Sequence, residues 1–186
     1  MKRVFDLVLV IMVGACLVMP LLLIALSVGL TSTGSVLYWS ERVGRNNTLF
    51  RMPKFRSMKI ETPAVATHLL TDAQSYLTPI GGFLRKSSLD ELPQLWSILK
   101  GDMSFVGPRP ALFNQHDLVE LRTLEGVHKL LPGLTGWAQI NGRDEIPISD
   151  KVALDAEYLE KKSLLFDIKI IFMTAMKVLK RDNVTH

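Results

Sequence analysis

The chain has 186 residues, 48% of them hydrophobic, with a net charge of +4 and a pI near 9.3. That length allows one domain with a modest core. A basic balance suits anionic lipid, phosphorylated small molecules or nucleic acid as partners, and a single cysteine, Cys16, excludes an intrachain disulfide.

No charged residue occurs between Asp6 and Glu41. The run exceeds the ~20 apolar residues that a membrane-crossing helix needs. It is too long for the ~7–15-residue core of a signal peptide and has no Ala-x-Ala cleavage site. Lys2 and Arg3 precede it; Arg42, Arg45, Arg51, Lys54 and Arg56 follow it. The positive-inside rule would hold both flanks on the cytoplasmic face, which one span cannot satisfy. Pro20, near the middle, removes a helical donor and clashes with the preceding turn. Two readings stand at this level: a spanning helix, or a re-entrant hairpin broken at Pro20. Such an anchor points to lipid or a phosphorylated small molecule rather than nucleic acid. An aromatic-basic stacking face for bases is also lacking.

Residues Ser40 to Met58 are basic, with Phe50, Met52 and Phe55 between the charges, and read as a short strand pair or an extended segment. Glu61 to Pro79 reads as a polar loop, and Gly81-Gly82 as a turn leading into a short helix or connector over Phe83 to Lys86. A helix is expected from Asp90, its N-cap, with Pro93 in the first turn. Leu92, Leu95, Trp96 and Leu99 form its apolar face, and Gly101 ends it. Val106 to Pro110 is a rigid loop, Phe113 to Glu125 a helix, Pro132 to Arg143 a Gly-rich loop and Ser149 to Lys162 a helix. In the final helix, Leu164 to Arg181, apolar residues recur at helical spacing from Leu164 and Leu165 through Ile168, Ile171, Phe172, Ala175 and Met176 to Leu179. Asp167, Lys177, Lys180 and Arg181 take the other face. Core packing and a membrane-surface position explain that stripe equally well. There is no internal repeat.

The densest chemistry lies between Leu84 and Leu95. Arg85 and Lys86 lead into a helix start that carries Asp90 and Glu91. A helix N-terminus suits phosphate, and a carboxylate there is expected to have a lowered pKa and stay ionised. An ionised carboxylate can bind Mg²⁺ or attack phosphorus. The plainer reading makes Asp90 a cap and Glu91 a first-turn charge. Arg56, Arg85, Arg109 and Arg143 each sit near glycine, proline or small residues, positions that hold a guanidinium for bidentate phosphate contact. The hard oxygen ligands, with no His/Cys cluster, favour Mg²⁺ over softer metals.

Five ordered segments resemble the bacterial sugar transferase family, the small monotopic phosphoglycosyl transferases acting on undecaprenyl phosphate. They are Lys54-Phe55-Arg56-Ser57-Met58, then Ser88 to Leu95 and Leu99 to Ser104. Val106-Gly107-Pro108-Arg109-Pro110 and Pro132 to Arg143 complete the set. The resemblance runs from Lys2 to about Leu179. It implies an α/β, mostly α-helical fold. An N-terminal re-entrant membrane helix-break-helix would form the anchor over residues 1–38. A small cytoplasmic catalytic domain with interfacial amphipathic helices would occupy 39–186, on the cytoplasmic face of the bacterial inner membrane.

The implied reaction moves a sugar-1-phosphate from a UDP-sugar to a polyprenol phosphate and releases UMP, the first membrane step of glycan assembly. Asp90 would be the nucleophile, Glu91 would assist through Mg²⁺ or proton handling, and both would hold the metal. Arg56, Arg85, Arg109, Arg143, Lys54 and Gln139 would bind substrate. Downstream glycosyltransferases are expected further partners, and nucleic acid is not. Two positions depart from the family pattern: Met19 stands before the hairpin proline where serine is common, and Leu131 stands where arginine is common. Lys129 or His128 are the nearby substitutes. The competing reading is a non-catalytic membrane scaffold that binds anionic lipid or nucleotide.

Overall fold

A computed structural model describes residues 1–63, 72–142 and 146–179. Its longest element is the helix α1, Lys2–Thr31, long and apolar enough to cross a membrane. The expected break is not there: α1 runs unbroken through Pro20. Proline's missing N–H costs one intrahelical bond, to the Cys16 carbonyl, but the apolar neighbours on both sides keep the remaining ladder. Near the far end Ser27 and Thr31 hydroxyls donate to the carbonyls of Leu23 and Ser27, four residues back.

One stripe of α1 faces the rest of the protein along its whole length. Asp6, Val10 and Val28 are buried, and Val13, Leu17, Leu21 and Ile24 pack between them at spacings of three and four. The opposite stripe leaves Val4, Val8, Ile11, Met12, Met19, Leu22, Leu23 and Leu26 exposed. Both ends of the helix are therefore fastened to the same folded unit. At the start, Arg3 donates to the carbonyls of Ile98 (2.5 Å) and Leu99 (2.8 Å). Buried Asp6 accepts from the Ser104 hydroxyl and the Phe105 amide. At the other end, Val28 packs with Phe55 and Leu84.

Of the two readings of the basic stretch after α1, the structure takes the strand pair. β1 (Leu37–Val43) and β2 (Leu49–Phe55) are antiparallel, with Tyr38 opposite Lys54 and Ser40 opposite Met52. Asn46 and Asn47 turn the chain between them at positive φ, which asparagine tolerates. The short helix α2 (Gly81–Ser87) follows. The helix expected from Asp90 opens differently. Residues Leu89–Gln94 form a 3₁₀ stretch, and the regular helix α3 covers only Leu95–Lys100. Ser88, in the left-handed region at φ 59°, makes the turn that Asp90 was expected to cap. Gly101, at φ 101°, ends α3 as expected.

β3 (Ser104–Val106) and β4 (Gly133–Thr135) pair in parallel, so part of the Gly-rich loop is a strand. Its next residues form the short helix α5, Trp137–Asn141. The glycines explain this order. A Cβ on Gly133 would stand 2.2 Å from the Gly107 amide nitrogen, and one on Gly136 would stand 2.1 Å from the Gly107 carbonyl oxygen. Only glycine lets these backbones meet.

The remaining helices are α4 (His116–Leu124), α6 (Ile148–Lys161) and α7 (Leu164–Leu179). The main core gathers Met52, Leu95, Ile98, Met103, Phe105, Ile140, Tyr158 and Ile170, with Val10 of α1. α7 turns out differently from its sequence stripe. Its core face is Ile170 with Asp167, buried where a solvent-facing charge was expected, while Leu165, Ile168 and Phe172 remain exposed. Asp167 is satisfied by Lys2 (2.6 Å) and by the Tyr158 hydroxyl (2.6 Å). Core packing thus accounts for only part of that stripe. Lys180 and Arg181 lie outside the described residues.

Candidate active site

Four elements converge on Asp90 and Glu91. β2 supplies Lys54, the 3₁₀ stretch supplies both carboxylates, the loop after β3 supplies Arg109, and α2 ends beside them with Arg85. Leu89 and Leu92, flanking the carboxylates, pack on the cluster that contains Val28 of α1. The carboxylate pair is thereby tied directly to the apolar helix.

Glu91 is the hub. Its Oε1 accepts from Lys54 Nζ at 2.7 Å and from Arg109 Nη2 at 3.0 Å. Burial alone would raise its pKa, but the Arg109 guanidinium and Lys54 ammonium outweigh burial and hold it well below the usual carboxylate range. Lys54 moves the other way: burial lowers its pKa, and the attraction of Glu91 offsets this only in part.

Asp90 is only 6% exposed, and its pKa is raised. Burial is the main cause; the Lys54 charge opposes it, the neighbouring Glu91 anion adds to it, and Arg85 and Arg109 oppose it more weakly. The sequence led to the opposite expectation, a lowered pKa at a helix N-terminus. The difference is physical: Asp90 lies inside a short 3₁₀ stretch rather than capping a long helix, and loss of water outweighs the dipole.

The other expected site residues are distributed. Arg85 donates to the Met58 sulfur at 3.3 Å and acts on Asp90 through its charge. Arg56 Nε binds the Ser35 carbonyl at 2.7 Å, fastening the exit of β2 to the α1–β1 connection. Gln139 donates to the Leu134 carbonyl within the β4–α5 turn, and its Oε1 is buried with no hydrogen-bond partner among the described residues. Arg143 lies outside the described residues. Of the two residues near Leu131, His128 lines a small open pocket beside Arg109, and its Nδ1 is buried without a partner among the described residues.

Three residues that sequence reasoning did not single out shape the site. Arg42 donates to the Pro110 carbonyl at 3.2 Å and its charge reaches Lys54. Arg122 and Asp155 form a buried pair behind Arg109, with 2.6 Å between Nη2 and Oδ2. Arg122 lies four residues beyond buried Leu118 on α4, and that spacing was the available signal.

Asp90 and Glu91 fit a hard divalent cation. Both cations on Glu91 meet Oε1, which leaves Oε2 unclaimed by them. Asp90 is a buried carboxylate whose charge its neighbours only partly balance. Among the described residues no third Asp, Glu, His or Cys joins them, so such an ion would take its remaining ligands from water or phosphate.

A profile described as "Bacterial sugar transferase" matches residues 1–181. The chain belongs to the bacterial sugar transferase family. It is 42% identical over 186 residues to the UDP-glucose:undecaprenyl-phosphate glucose-1-phosphate transferase of Escherichia coli K12, covering 95% of this chain and 40% of that protein. It is 40% identical to the undecaprenyl-phosphate glucose phosphotransferase of Komagataeibacter xylinus, covering 93% of this chain and 35% of that protein. It is 39% identical to the uncharacterized sugar transferase EpsL of Bacillus subtilis 168, covering 99% of this chain and 90% of that protein. The chain thus spans well under half the length of the first two relatives and most of the third. Lys54, Asp90, Glu91 and Arg109 converge within this family member as its candidate site.

Proposed function

We propose that this chain is a phosphoglycosyl transferase that moves a sugar-1-phosphate from a UDP-sugar to undecaprenyl phosphate and releases UMP. The observation that carries the reading is the buried Asp90 carboxylate beside the Lys54–Glu91–Arg109 ion cluster. Support comes also from the named activities of the Escherichia coli and Komagataeibacter relatives, which act on undecaprenyl phosphate.

In this reading a carboxylate oxygen of Asp90 attacks the β-phosphorus of the UDP-sugar. The bond from that phosphorus to the oxygen bridging the α-phosphate breaks, UMP leaves, and an aspartyl-phosphosugar remains. A phosphate oxygen of undecaprenyl phosphate then attacks the same phosphorus. The acyl-phosphate bond breaks, the Asp90 carboxylate is restored and the sugar is left on a lipid diphosphate. Lys54, Arg85 and Arg109 offset the repulsion between carboxylate and diphosphate. Glu91 stays ionised between two cations, so it anchors them rather than handling protons. Mg²⁺, held by Asp90 and Glu91, would neutralise charge on the phosphates.

The membrane reading goes with it. α1 lies with both ends on the cytoplasmic face of the inner membrane, its stripe from Asp6 to Val28 on the catalytic domain and its outer apolar stripe toward lipid. What supports this is that both ends of α1 are fastened to one folded unit and its outer stripe is apolar. Exposed Leu165, Ile168 and Phe172 suit α7 to the interface. The test is UMP release from a panel of UDP-sugars with Mg²⁺ and undecaprenyl phosphate. Release that Asp90→Asn abolishes supports the reading. Nucleotide or lipid binding without release across the panel overturns it in favour of the scaffold.

A further inference from the structure

Arg109 sits between Pro108 and Pro110, which restrict the backbone on both sides of it. A loop stiffened this way moves as a body, so its anchors set where the Arg109 side chain points. Four successive carbonyls supply those anchors. Pro108 accepts from the Gly133 amide at 2.9 Å and Ala111 from the Val43 amide at 3.0 Å, both backbone contacts. Pro110 accepts from Arg42 Nη1 at 3.2 Å. Arg109 itself accepts from Arg122 Nη1 at 2.8 Å.

The Arg122 contact differs from the other three. Arg122 is a helix α4 residue with its side chain only 9% exposed, and Asp155 of α6 holds it from behind. Nε and Nη2 both bind Asp155 Oδ2, at 2.9 and 2.6 Å. The third nitrogen is left facing the loop. Burying an ion pair generally adds little net stability over apolar packing, but it fixes direction well. The fork thus relays the position of α4 and α6 to the backbone of Arg109, whose side chain binds Glu91 at 3.0 Å.

We infer that Arg122 is a positioning residue for phosphosugar transfer, acting through the Arg109 backbone, with Asp155 orienting it. The transfer part rests on the function proposed above; the loop-holding part does not. Lysine at position 122 keeps the charge beside Asp155 but has no fork to reach both partners.

The test uses the full chain in detergent micelles or lipid nanodiscs. Amide hydrogen exchange is followed on a peptide covering Val106 to Leu112, with the β1–β2 hairpin as internal control. Arg122→Lys should exchange roughly tenfold faster in the loop and unchanged in the hairpin. Asp155→Asn, which keeps Arg122, should loosen the same loop and serves if the lysine variant does not fold. Equal loop protection in wild type and both variants would overturn the inference, whether or not the protein turns over any UDP-sugar. The second readout is a rate cycle. Arg122→Lys should lower UMP release roughly 10- to 100-fold, and should lower it no further in an Arg109→Ala background. Effects that multiply in the double variant would show that Arg122 does not act through Arg109. Absence of release by wild type would overturn the proposed transfer, and the exchange result would still decide whether Arg122 holds the loop.

Discussion

Gly107 and Gly133 meet backbone to backbone: a Cβ on Gly133 would stand 2.2 Å from the Gly107 nitrogen and 2.6 Å from its carbonyl oxygen. That contact joins two motifs distant in sequence and seats the loop that carries Arg109. The obstructing atoms are backbone, so no side chain can rotate away. Gly133→Ala should therefore separate β3 from β4, at a cost of about 3 kcal/mol or more, the upper end of ordinary overpacking. Thermal unfolding in detergent should fall by several degrees, and UMP release should fall with it. An unchanged melting temperature would show that the strands pack less closely than this.

Asp90→Asn separates chemistry from stability. The folded-state pKa of Asp90 is raised, so the ionised form is disfavoured in the fold. The sign follows: with the folded pKa above the unfolded one, the unfolded chain loses its proton first, and ionisation costs stability as pH rises between the two values. A neutral, isosteric asparagine avoids that cost. At pH 7 with metal chelated, Asp90→Asn should melt no lower than wild type, and in a separate assay with Mg²⁺ it should release no UMP where wild type does. A clearly lower melting temperature would mean that the carboxylate supports the fold.

Glu91→Gln should behave in the opposite way. The folded pKa of Glu91 is lowered, because the two cations outweigh the effect of burial. Its stabilising contribution is therefore complete above the unfolded value of about 4.3 and is lost as pH falls toward the folded value. Removing the anion leaves Lys54 and Arg109 facing each other, half-buried. A loss of about 3 kcal/mol at pH 7 is expected, as for breaking other buried pairs. The gap from wild type should narrow as unfolding is measured at pH values below about 4. A gap that stays constant down to acid pH would remove Glu91 from this role.

Much of the site was legible because it rests on local chemistry. Asp90, Glu91 and Arg109 were picked out from their neighbours and Lys54 through the family resemblance, and the fold brings all four together. The stop at Gly101 was readable from its glycine, while the alternating charges and apolar residues left the β1–β2 hairpin as one of two readings. What stayed hidden depends on distant partners. Asp6 and Asp167 look like solvent charges until β3, Tyr158 and Lys2 surround them. The Gly-rich loop becomes a strand only because Ser104 and Val106 offer it an edge. Arg56 and Gln139 share motifs with the site, yet their bonds lie in neighbouring connections. Proline at position 20 suggested a break, but a missing donor costs one bond in a helix that retains the others.

The topology of α1 can be read by labelling. In a Cys16→Ser background, one cysteine is placed ahead of Met1 and another by Arg45→Cys. Because both ends of α1 are fastened to one folded unit, an impermeant thiol reagent should reach both positions only after cells are lysed. Labelling of the N-terminal position in intact cells, with position 45 protected, would establish a span.

In the proposed reaction Asp90 carries the phosphosugar covalently. The direct measurement is intact-protein and peptide mass spectrometry after incubation with UDP-sugar and Mg²⁺, with undecaprenyl phosphate withheld. UMP release stoichiometric with protein is expected, with a sugar-phosphate adduct on the peptide containing Asp90. The adduct should be absent in Asp90→Asn and discharged when undecaprenyl phosphate is added. UMP release that begins only once undecaprenyl phosphate is present, with no adduct at any stage, would contradict it and show direct transfer between the two substrates.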